Sequence, residues 1–381
     1  MESNNINIGI ISTLYLPHLG GVERYTHNLA LNLSKKRFNI TIITSRLNDM
    51  KEYETGENIT IYRLPCFACM DGRMPIIKYN RDFIRSIKKL NEIKFDIMII
   101  NTRLYMLSCW GAKYCAKRRI RMLLIEHGTA HMVFNNRFVS MLGEMYEHFL
   151  TLYIKKYCNE FYGVSEACNK WLLHFNIASN GVLYNAIDLS DYNHIRTRYR
   201  KKYHIGDDAI VITYVGRLVQ DKGVLKLLEA FKRIEKTCVP IYLFVAGDGD
   251  LAETVKKYVS ASIFYLGSIS HESVLSLLYE TNIYCLPTDY PEGLPTGVLE
   301  AAMCECCIVA TNAGGTKEFM LDNVTGKVIY NNTIKEITDI FNQLSNCPDI
   351  VREMAINARQ RVLEKFTWKQ TISKLINILE E

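Results

Sequence analysis

Short apolar runs rich in β-branched residues alternate with amphipathic stretches almost from one end of the chain to the other. This alternation is typical of parallel sheets whose strands are joined by crossover helices. In the first half of the chain the runs predict strands at residues 6–11, 40–44, 97–100, 122–125, 161–164 and 182–184. In the second half they predict strands at residues 210–215, 241–246, 263–266, 283–286 and 308–310.

Residues 185–205 separate the two series of strands, and they are polar and charged with few regularly spaced apolar positions. We place a domain boundary there and predict an α/β protein of two Rossmann-like, doubly wound domains, residues 1–185 and 186–365. A last helix is predicted within residues 366–381. The length of 381 residues suits two domains of ordinary size. Doubly wound sheets bind ligands at the carboxyl ends of their strands, so two such sheets facing each other would form a deep cleft.

The composition argues against several classes of protein. Hydrophobic residues make up 48% of the chain, enough for two buried cores, and no apolar run is long enough to span a bilayer. The polar start at residues 2–5 lacks the features of a signal peptide, so we expect a cytoplasmic protein. The 12 cysteines are expected to be free thiols, because no export signal supplies an oxidising compartment. Cys66-x-x-Cys69 is a lone pair that supports zinc only weakly, and we expect no metal.

The net charge of +6 is unevenly distributed along the chain. Residues 1–185 hold 24 Lys and Arg against 15 Asp and Glu, whereas the remainder holds 22 against 25. Any anionic partner other than a ligand of the strand-end sites is therefore to be sought on the first half. Residues 134–157 mix aromatic, apolar and basic side chains, a pattern that fits either a helix on an anionic membrane surface or ordinary solvated faces and core helix.

Two segments of the first half follow predicted strands, where ligands of such sheets bind. Gly20 and Gly21 open a helix, and paired glycines let a phosphate approach the backbone and the free N–H groups of a helix start. A tight strand-to-helix turn explains the pair equally well. His127-Gly128 follows the strand at 122–125, and its imidazole would donate a hydrogen bond to a substrate hydroxyl or stabilise charge in a transition state. A structural, hydrogen-bonded histidine is the alternative.

Basic residues follow the first predicted strand of the second half. Gly216-Arg217 leaves that strand directly, and Lys222-Gly223 lies a few residues further on. An arginine makes forked contacts and a lysine acts as a point charge, so together they suit a departing diphosphate. Basic residues in loops are often simply solvated, but their position at a strand exit favours a functional site.

The segment at residues 287–300, with the sequence PTDYPEGLPTGVLE, is the most informative part of the chain. Pro295 fits the first turn of a helix, and the amides around residues 296–298 would point at an anion. Glu292 lies in the loop and would hold a transferred group. Glu300 lies about one turn into the helix and would bind both hydroxyls of a ribose.

Asp248-Gly249-Asp250 spells D-x-D, which in other proteins binds a metal together with a nucleotide. Here it follows a predicted strand through Gly247. We interpret it as a turn that begins a helix and infer no metal from it.

Taken together, these segments resemble glycosyltransferase family 4, whose members are retaining enzymes of the GT-B fold. The resemblance runs in order through essentially the whole chain. It is carried by Gly20-Gly21-Val22-Glu23, His127-Gly128, Val164-Ser165-Glu166, Asn185-Ala186-Ile187-Asp188, Gly216-Arg217-Leu218 with Lys222-Gly223, Gly247-Asp248-Gly249, Glu292-x7-Glu300, Ala310-Thr311, Gly314-Gly315-x-x-Glu318 and Phe366-Thr367-Trp368. The chain departs from the family at Cys304-Glu305-Cys306-Cys307, where Cys-Gly-x-Pro is frequent, and this departure affects a helix end more than the chemistry.

The resemblance implies roles for the matching residues. The residues implied in catalysis are His127 beside the reacting carbon of the transferred sugar, Glu292 on the sugar hydroxyls, and Arg217 with Lys222 on the diphosphate. Glu300 would bind the ribose. The other implied donor-binding positions are Gly20 and Gly21 against the phosphates, Gly267, Ser268 and Ile269 beside the base, and Gly216, Gly293, Leu294, Thr296, Gly297 and Val298. The final helix would cross back onto the N-terminal domain.

The resemblance also implies the reaction. A hexose or N-acetylhexosamine would move from a nucleotide sugar, most often a UDP-sugar in this family, to a lipid-linked saccharide in bacterial polysaccharide or lipopolysaccharide assembly, at the inner face of the plasma membrane. Glu292 is the only obvious carboxylate candidate and is assigned to sugar hydroxyls, so we favour front-face substitution, in which the leaving diphosphate deprotonates the acceptor, over double displacement.

Two other functions fit the same fold. One is a sugar-nucleotide epimerase of similar fold, which needs no acceptor, and the other is a non-catalytic sugar-binding protein. No recognised nucleic-acid-binding module is present.

Overall fold

The computed structural model describes residues 6–18, 20–36, 38–56, 58–132, 136–193, 199–235 and 237–380. Residues 2–5, 134–135 and 194–198 lie outside these ranges, and parts of the predicted N-terminus, amphipathic helix and domain boundary fall on them. Within the described ranges, no helix combines the length and the apolar character needed to cross a membrane.

Strands and helices alternate along most of the chain. The strands are β1 (Asn7–Ile11), β2 (Asn39–Arg46), β3 (Tyr53–Thr55), β4 (Ile59–Phe67), β5 (Ile76–Ile77), β6 (Ile97–Asn101), β7 (Arg121–Glu126), β8 (Glu160–Gly163), β9 (Gly181–Val182), β10 (Ile210–Val215), β11 (Ile241–Ala246), β12 (Ile263–Gly267), β13 (Ile283–Leu286), β14 (Cys307–Thr311) and β15 (Gly326–Ile329). The helices are α1 (Gly21–Ser34), α2 (Arg81–Glu92), α3 (Met106–Arg118), α4 (Arg137–Lys155), α5 (Glu166–His174), α6 (Tyr199–Lys202), α7 (Val224–Lys232), α8 (Ala252–Lys256), α9 (His271–Leu278), α10 (Thr296–Met303), α11 (Thr316–Phe319), α12 (Ile334–Ser345), α13 (Pro348–Lys365) and α14 (Trp368–Glu380).

The chain divides into two compact units. The N-terminal unit consists of Met1–Asn185 together with Trp368–Glu381, and the C-terminal unit consists of Ala186–Thr367. In the N-terminal unit, α14 packs on α1. Trp368 is almost fully buried there with its ring 5.0 Å from that of Tyr25, and the Thr371 hydroxyl donates a hydrogen bond of 3.0 Å to the carbonyl of Tyr184.

Each unit is built on its own largely parallel sheet. The order in the N-terminal unit is β3-β4-β2-β1-β6-β7-β8-β9, with β3 and β5 pairing antiparallel to β4. The order in the C-terminal unit is β12-β11-β10-β13-β14-β15, and all its strands are parallel. Both are doubly wound orders that reverse direction beside the first strand, and such a reversal opens a crevice at the strand ends. The crevices are expected beside β1 and β6, and beside β10 and β13.

The sequence pattern located the strands of both sheets well. Every predicted strand is present, with its ends within two residues of the prediction. The central strands are buried on both faces, which is why they appear as continuous apolar runs. The pattern missed β3, β4, β5 and β15. Strand β4 was missed because Arg63 and Pro65 interrupt its apolar run, although Arg63 is buried and donates a 2.9 Å hydrogen bond to the carbonyl of Leu16.

Candidate functional site

The loops that follow β10 and β13 are tied together at the reversal of the C-terminal sheet. The N–H of Asp289 donates to the carbonyl of Asp221 at 2.8 Å. The Thr288 hydroxyl donates to the same carbonyl at 3.1 Å. These bonds join the loop that carries Lys222 to the loop that carries Glu292, so the two side chains are brought to one place by backbone pairing.

Lys222 and Glu292 form an ion pair in that place. The Nζ atom of Lys222 lies 2.6 Å from Oε1 of Glu292, and only 11% and 23% of the two side chains are exposed. Gly223 allows the loop that carries Lys222 to pack closely on the residues after β13. Its φ is +72°, and a Cβ there would lie 1.9 Å from the carbonyl oxygen of Pro287. The sequence assigned both charged residues to the site but did not predict that they contact each other.

A third loop holds the backbone of Glu292. The N–H of Gly315 donates to the carbonyl of Glu292 at 2.8 Å. Gly314 has a φ of +54°, and a Cβ on it would lie 2.0 Å from the same carbonyl oxygen. The Gly-Gly pair after β14 therefore fixes the position of Glu292.

Arg217 is positioned by a buried tyrosine at the end of β10. The hydroxyl of Tyr214 donates a 2.9 Å hydrogen bond to the carbonyl of Arg217, whose side chain is exposed. Gly216 leaves room for that hydroxyl, since a Cβ there would lie 3.1 Å from it. Burial raises the pKa of Tyr214, the charge of Glu292 raises it further, and that of Arg217 opposes both effects. The hydroxyl therefore remains a donor, and both charged side chains are near enough to act on it.

A second buried tyrosine supports the neighbouring strand end in the same way. The hydroxyl of Tyr284 donates to the carbonyl of Val215 at 3.2 Å. Gly297 in the first turn of α10 leaves room for it, because a Cβ there would lie 2.7 Å from the hydroxyl oxygen. Gly216 and Gly297, both predicted to bind the donor, thus also accommodate tyrosine hydroxyls.

Helix α10 begins at Thr296 rather than at Pro295, which is the N-cap residue and provides no side-chain cap. The side chains of Leu294 and Val298 are buried, so contacts from them to a ligand would come from the backbone. Gly293, Thr296 and Gly297 are partly exposed. The N–H of Val298 donates to the carbonyl of Pro295 at 3.2 Å, and anion binding at the start of this helix stays a prediction.

Glu300 is buried and has a histidine partner that the sequence reasoning missed. Its Oε1 lies 2.9 Å from Nε2 of His271, the first residue of α9. The predicted base-bordering residues Gly267, Ser268 and Ile269 come just before this histidine; Gly267 ends β12 with a φ of +67° and Ser268 is exposed. A histidine that follows this loop at a helix start was the available signal.

Asp248-Gly249-Asp250 forms a turn before α8. The N–H of Leu218 donates to the carbonyl of Asp248 at 2.8 Å, and the Asp248 carboxylate accepts from the N–H of Gly249 at 2.8 Å. Gly247 and Gly249 have φ values of +139° and +149°. The segment thus packs against the loop after β10 through its backbone.

In the N-terminal unit, the predicted phosphate glycines lie at the start of α1. Gly20 is the N-cap residue, and a Cβ on it would lie 2.3 Å from a carboxylate oxygen of Glu23. A Cβ on Gly21 would meet nothing within 4 Å. Burial raises the pKa of Glu23, and the nearby His18 opposes this. Packing thus accounts for Gly20 but not for Gly21.

His127 follows β7, and its hydrogen bonds define which ring nitrogen is protonated. Thr26 donates through its hydroxyl to the carbonyl of Val22 at 2.8 Å and accepts from Nδ2 of Asn101 at 2.9 Å. Asn101 therefore presents Oδ1 to Nε2 of His127, 3.0 Å away. Nε2 must donate, and Nδ1 is left as a hydrogen-bond acceptor in the neutral ring.

The surroundings keep His127 neutral. Burial lowers its pKa to about 3, and the ring of Tyr25 packs edge-on at 4.8 Å. The predicted roles, donating a hydrogen bond or stabilising negative charge, suit a protonated ring or a free N–H group. The geometry instead favours His127 accepting a hydrogen bond through Nδ1.

Helix α4 exposes an apolar face. Its buried residues are Glu147, Leu150, Thr151 and Ile154. The large apolar side chains exposed on the helix by 47% to 67% are Phe138, Met141, Leu142, Met145, Phe149 and Leu152. The described part of residues 134–157 is therefore not a core helix, and membrane contact stays a prediction beside the alternative of an ordinary solvated face.

The prediction of free thiols is confirmed, because all 12 cysteines are unpaired with one another. Cys304, Cys306 and Cys307 are buried. Glu305, which departs from the family pattern, lies just after α10 with a φ of +59°.

Two family models match successive parts of the chain. The model of Glycosyltransferase Family 4 matches residues 19–191, and that of Glycosyl transferases group 1 matches residues 195–361. The chain belongs to glycosyltransferase family 4.

Known proteins resemble this glycosyltransferase along its whole length. An uncharacterized glycosyltransferase of Methanocaldococcus jannaschii is 25% identical over 389 residues, which cover 98% of each chain. The GPI3 subunit of phosphatidylinositol N-acetylglucosaminyltransferase from Saccharomyces cerevisiae is 23% identical over 385 residues, 98% of this chain and 82% of the yeast protein. The solved structure of Anabaena HepE with UDP and glucose has a TM-score of 0.76 at 15% identity and covers 99% of this chain and 100% of HepE. The glycosyltransferase thus has the GT-B fold.

Proposed function

We propose that this glycosyltransferase moves a hexose or an N-acetylhexosamine from a UDP-sugar to a lipid-linked saccharide, with retention of configuration, in the assembly of a surface polysaccharide. The observation that carries the proposal is the Lys222–Glu292 ion pair at the ends of β10 and β13. It places a cation suited to a diphosphate beside a carboxylate suited to sugar hydroxyls. UDP and glucose, the ligands of Anabaena HepE, are the two parts of such a donor.

The donor would bind to the C-terminal unit through charge and backbone. Lys222 and Arg217 neutralise the diphosphate, and the start of α10, which has no side-chain cap, adds the favourable end of its helix dipole. Glu292 binds hydroxyls of the transferred sugar. Glu300, held by His271, binds the ribose.

The chemical step we propose is a front-face substitution. The bond between the anomeric carbon and the diphosphate oxygen breaks while the acceptor oxygen forms its bond to the same face of that carbon. The proton of the acceptor hydroxyl passes to the leaving diphosphate. Lys222 and Arg217 stabilise the charge that develops on the leaving group, and this lowers the barrier. No metal is assigned to this step, because Asp248 is engaged in a turn.

His127 of the N-terminal unit would contribute as a neutral acceptor. Its Nε2 is committed to Asn101, so Nδ1 accepts a hydrogen bond from a hydroxyl of the transferred sugar. This contact orients the sugar without adding positive charge near an oxocarbenium-like carbon, where a cation would be unfavourable.

The exposed apolar face of α4 is the support for a lipid-linked acceptor. A contiguous apolar face on a helix with basic residues at its ends, Arg137 and Lys155, suits the interface of an anionic membrane. The yeast relative is named for the transfer of N-acetylglucosamine to phosphatidylinositol, a membrane lipid. We therefore propose a peripheral enzyme at the inner face of the plasma membrane.

The donor is tested by thermal unfolding of the protein with UDP-, GDP- and ADP-sugars, with and without magnesium. We expect the melting temperature to rise with one class of nucleotide and to be unaffected by magnesium, because a ligand that binds only the folded state stabilises it. No rise with any nucleotide sugar would contradict the transferase assignment. Incubation with the donor alone distinguishes the transferase from the epimerase alternative, because an epimerase would convert the sugar of the donor without an acceptor.

The Glu292 assignment is tested by Glu292→Ala, with Asp289→Ala as the matched control in the same loop. We expect the first to lose at least about tenfold in turnover of the donor, since a hydrogen bond to a charged group contributes about 1.5–3 kcal/mol. The control removes the exposed pair with Lys226 and a 2.7 Å hydrogen bond from Nδ2 of Asn332. Near-normal turnover by Glu292→Ala would refute the assignment.

Binding of the protein to membranes is tested by flotation with vesicles that contain anionic lipid. Phe149→Ser removes a side chain that is 67% exposed on α4, and Ile84→Ser removes one that is 56% exposed on α2. We expect Phe149→Ser to weaken vesicle binding by about tenfold, because insertion of a phenyl ring contributes about 1.5–3 kcal/mol, and Ile84→Ser to have no effect. If the unchanged protein does not float with the vesicles, this part of the proposal is wrong.

A further inference from the structure

Three histidines from separate parts of the N-terminal unit meet at one point. His131 lies in the loop after β7, His148 lies on α4, and His174 is the last residue of α5. Nε2 of His174 lies 3.2 Å from Nε2 of His131 and 3.3 Å from Nε2 of His148. One nitrogen from each ring can be chosen so that all three lie within 4.8 Å of one another.

These separations match the edges of a tetrahedral metal site. Imidazole nitrogens bind zinc at about 2.0–2.1 Å, so two nitrogens on one tetrahedral ion are about 3.3 Å apart. The two distances from His174 agree with this value, and the third separation is within 4.8 Å. His174 is exposed and the other two histidines are partly exposed. The solvent side of such a site would leave the fourth position to water.

Hydrogen bonding among the three rings does not satisfy their nitrogens as well as an ion would. Nδ1 of His131 lies 2.7 Å from a carboxylate oxygen of Glu147, and Glu147 is itself paired with the buried Arg103 at 2.7 Å. Because Nδ1 of His131 faces this carboxylate oxygen, a hydrogen bond between them uses Nδ1 as the donor and leaves Nε2 facing the other two histidines. Without an ion, Nε2 of His174 would have to form hydrogen bonds to Nε2 of both other histidines at once. One bound cation would instead accept a lone pair from each of the three rings.

We propose that His131, His148 and His174 bind one divalent transition metal ion of the zinc type. The carboxylate–histidine contact from Glu147 is the arrangement that orients a metal-binding imidazole and raises its basicity. None of the three histidines is among the predicted donor-binding residues, and a metal here departs from our sequence-based expectation of no metal. The three histidines have no ligand spacing in the sequence, so only the fold brings them together.

The bound ion would fasten the loop after β7 to two helices. From His131, a buried chain of charges runs through Glu147 and Arg103 to Glu126, whose second carboxylate oxygen lies 3.4 Å from Arg103. The first carboxylate oxygen of Glu126 accepts from the N–H of His127 at 3.0 Å and from the next N–H at 2.8 Å. Metal binding would therefore stabilise the backbone that presents His127.

The test uses the full chain, stripped with a chelator, exchanged into buffer with a non-thiol reductant and titrated with Zn²⁺ by calorimetry. We expect one ion per chain. Co²⁺ in place of Zn²⁺ should give visible ligand-field absorption without the near-ultraviolet charge-transfer band of a thiolate ligand. The missing band distinguishes binding at the three histidines from binding at the exposed thiol of Cys238.

His148→Ala and His174→Ala should each weaken Zn²⁺ binding by about 100-fold or more, because each removes a ligand. The matched control is His204→Asn, which removes an exposed histidine of the C-terminal unit; its φ of +55° is one that asparagine tolerates. This variant should bind as the unchanged protein does. Melting temperatures without metal show whether each variant is folded. Absence of Zn²⁺ binding to the unchanged protein, or equal binding by folded His148→Ala, would overturn the proposal and leave the histidines as packing partners of Phe175.

Discussion

The contact between Lys222 and Glu292 gives the sharpest prediction for the reaction. Replacing Lys222 by Met removes the charge and retains most of the apolar stem, so the loop after β10 should keep its course. Only 11% of the lysine side chain is exposed, and its Nζ lies 2.6 Å from Glu292. The ammonium group therefore acts from a partly desolvated position, where a charged hydrogen bond contributes about 1.5–3 kcal/mol. We expect kcat/KM to fall about 10- to 150-fold in Lys222→Met.

The distribution of that loss between kcat and KM reports what the lysine does. If Lys222 stabilises the departing diphosphate, kcat falls with kcat/KM, because the interaction is strongest in the transition state. If it only holds the donor, KM rises and kcat is unchanged. The assay is release of nucleoside diphosphate at saturating acceptor over a range of donor concentrations.

Lys226→Met is the matched control. Lys226 lies four residues further along the same segment and pairs with Asp289 at 2.8 Å, but both side chains are more exposed, by 33% and 49%. Exposed pairs contribute little, about 0–1 kcal/mol, so we expect less than about fivefold change. The reasoning is refuted if Lys222→Met keeps kcat/KM within about threefold of the unchanged protein, or if Lys226→Met is equally impaired.

Two further predictions concern His127 and the glycines. Unfolded histidine has a pKa of about 6.5, whereas burial lowers that of folded His127 to about 3, so below pH 6.5 protonation favours the unfolded chain. Between pH 7 and pH 5 the unchanged protein should lose about 2 kcal/mol more unfolding free energy than His127→Gln in urea titrations, and equal losses would contradict the burial argument. Gly314→Ala should lower both stability and kcat/KM, because the new Cβ would lie 2.0 Å from the carbonyl oxygen of Glu292. Gly21→Ala, with nothing within 4 Å, should keep its melting temperature and lose donor turnover; unchanged turnover would refute a phosphate contact at this glycine.

The sequence predicted the strands and the residue types of the site, but not how the site is held together. Strands that are buried on both faces appear in the sequence as continuous apolar runs. Polar residues just after such runs indicate the edge of the sheet where ligands bind. Lys222 and Glu292 meet because the carbonyl of Asp221 accepts hydrogen bonds from the loop of Glu292, which no sequence pattern encodes. The pairing of Glu300 with His271 was missed because it depends on the packing of α9 beside α10.

The direction of the His127 hydrogen bond lay beyond the sequence for a similar reason. A histidine after a parallel strand is a sound candidate, but its role depends on which nitrogen carries the proton. That is set by Asn101 at the end of β6, which is in turn oriented by Thr26 on α1. Two elements, β6 and α1, therefore decide the tautomer, and neither of them is close to His127 in the sequence.

The glycines of the family motifs divide into two kinds once the space around each is known. At Gly223, Gly247 and Gly314 the φ is positive, and a Cβ would lie 2.0 Å or less from a backbone oxygen of another loop. These glycines let loops pack on each other, and they would be required whatever ligand is bound. Gly21 has neither a positive φ nor a neighbour that a Cβ would meet, so the protein's own packing gives no reason for glycine there. A phosphate that approaches the start of α1 does give a reason. The motif therefore combines residues that build the site with residues that leave room for its ligand, and only the structure separates the two.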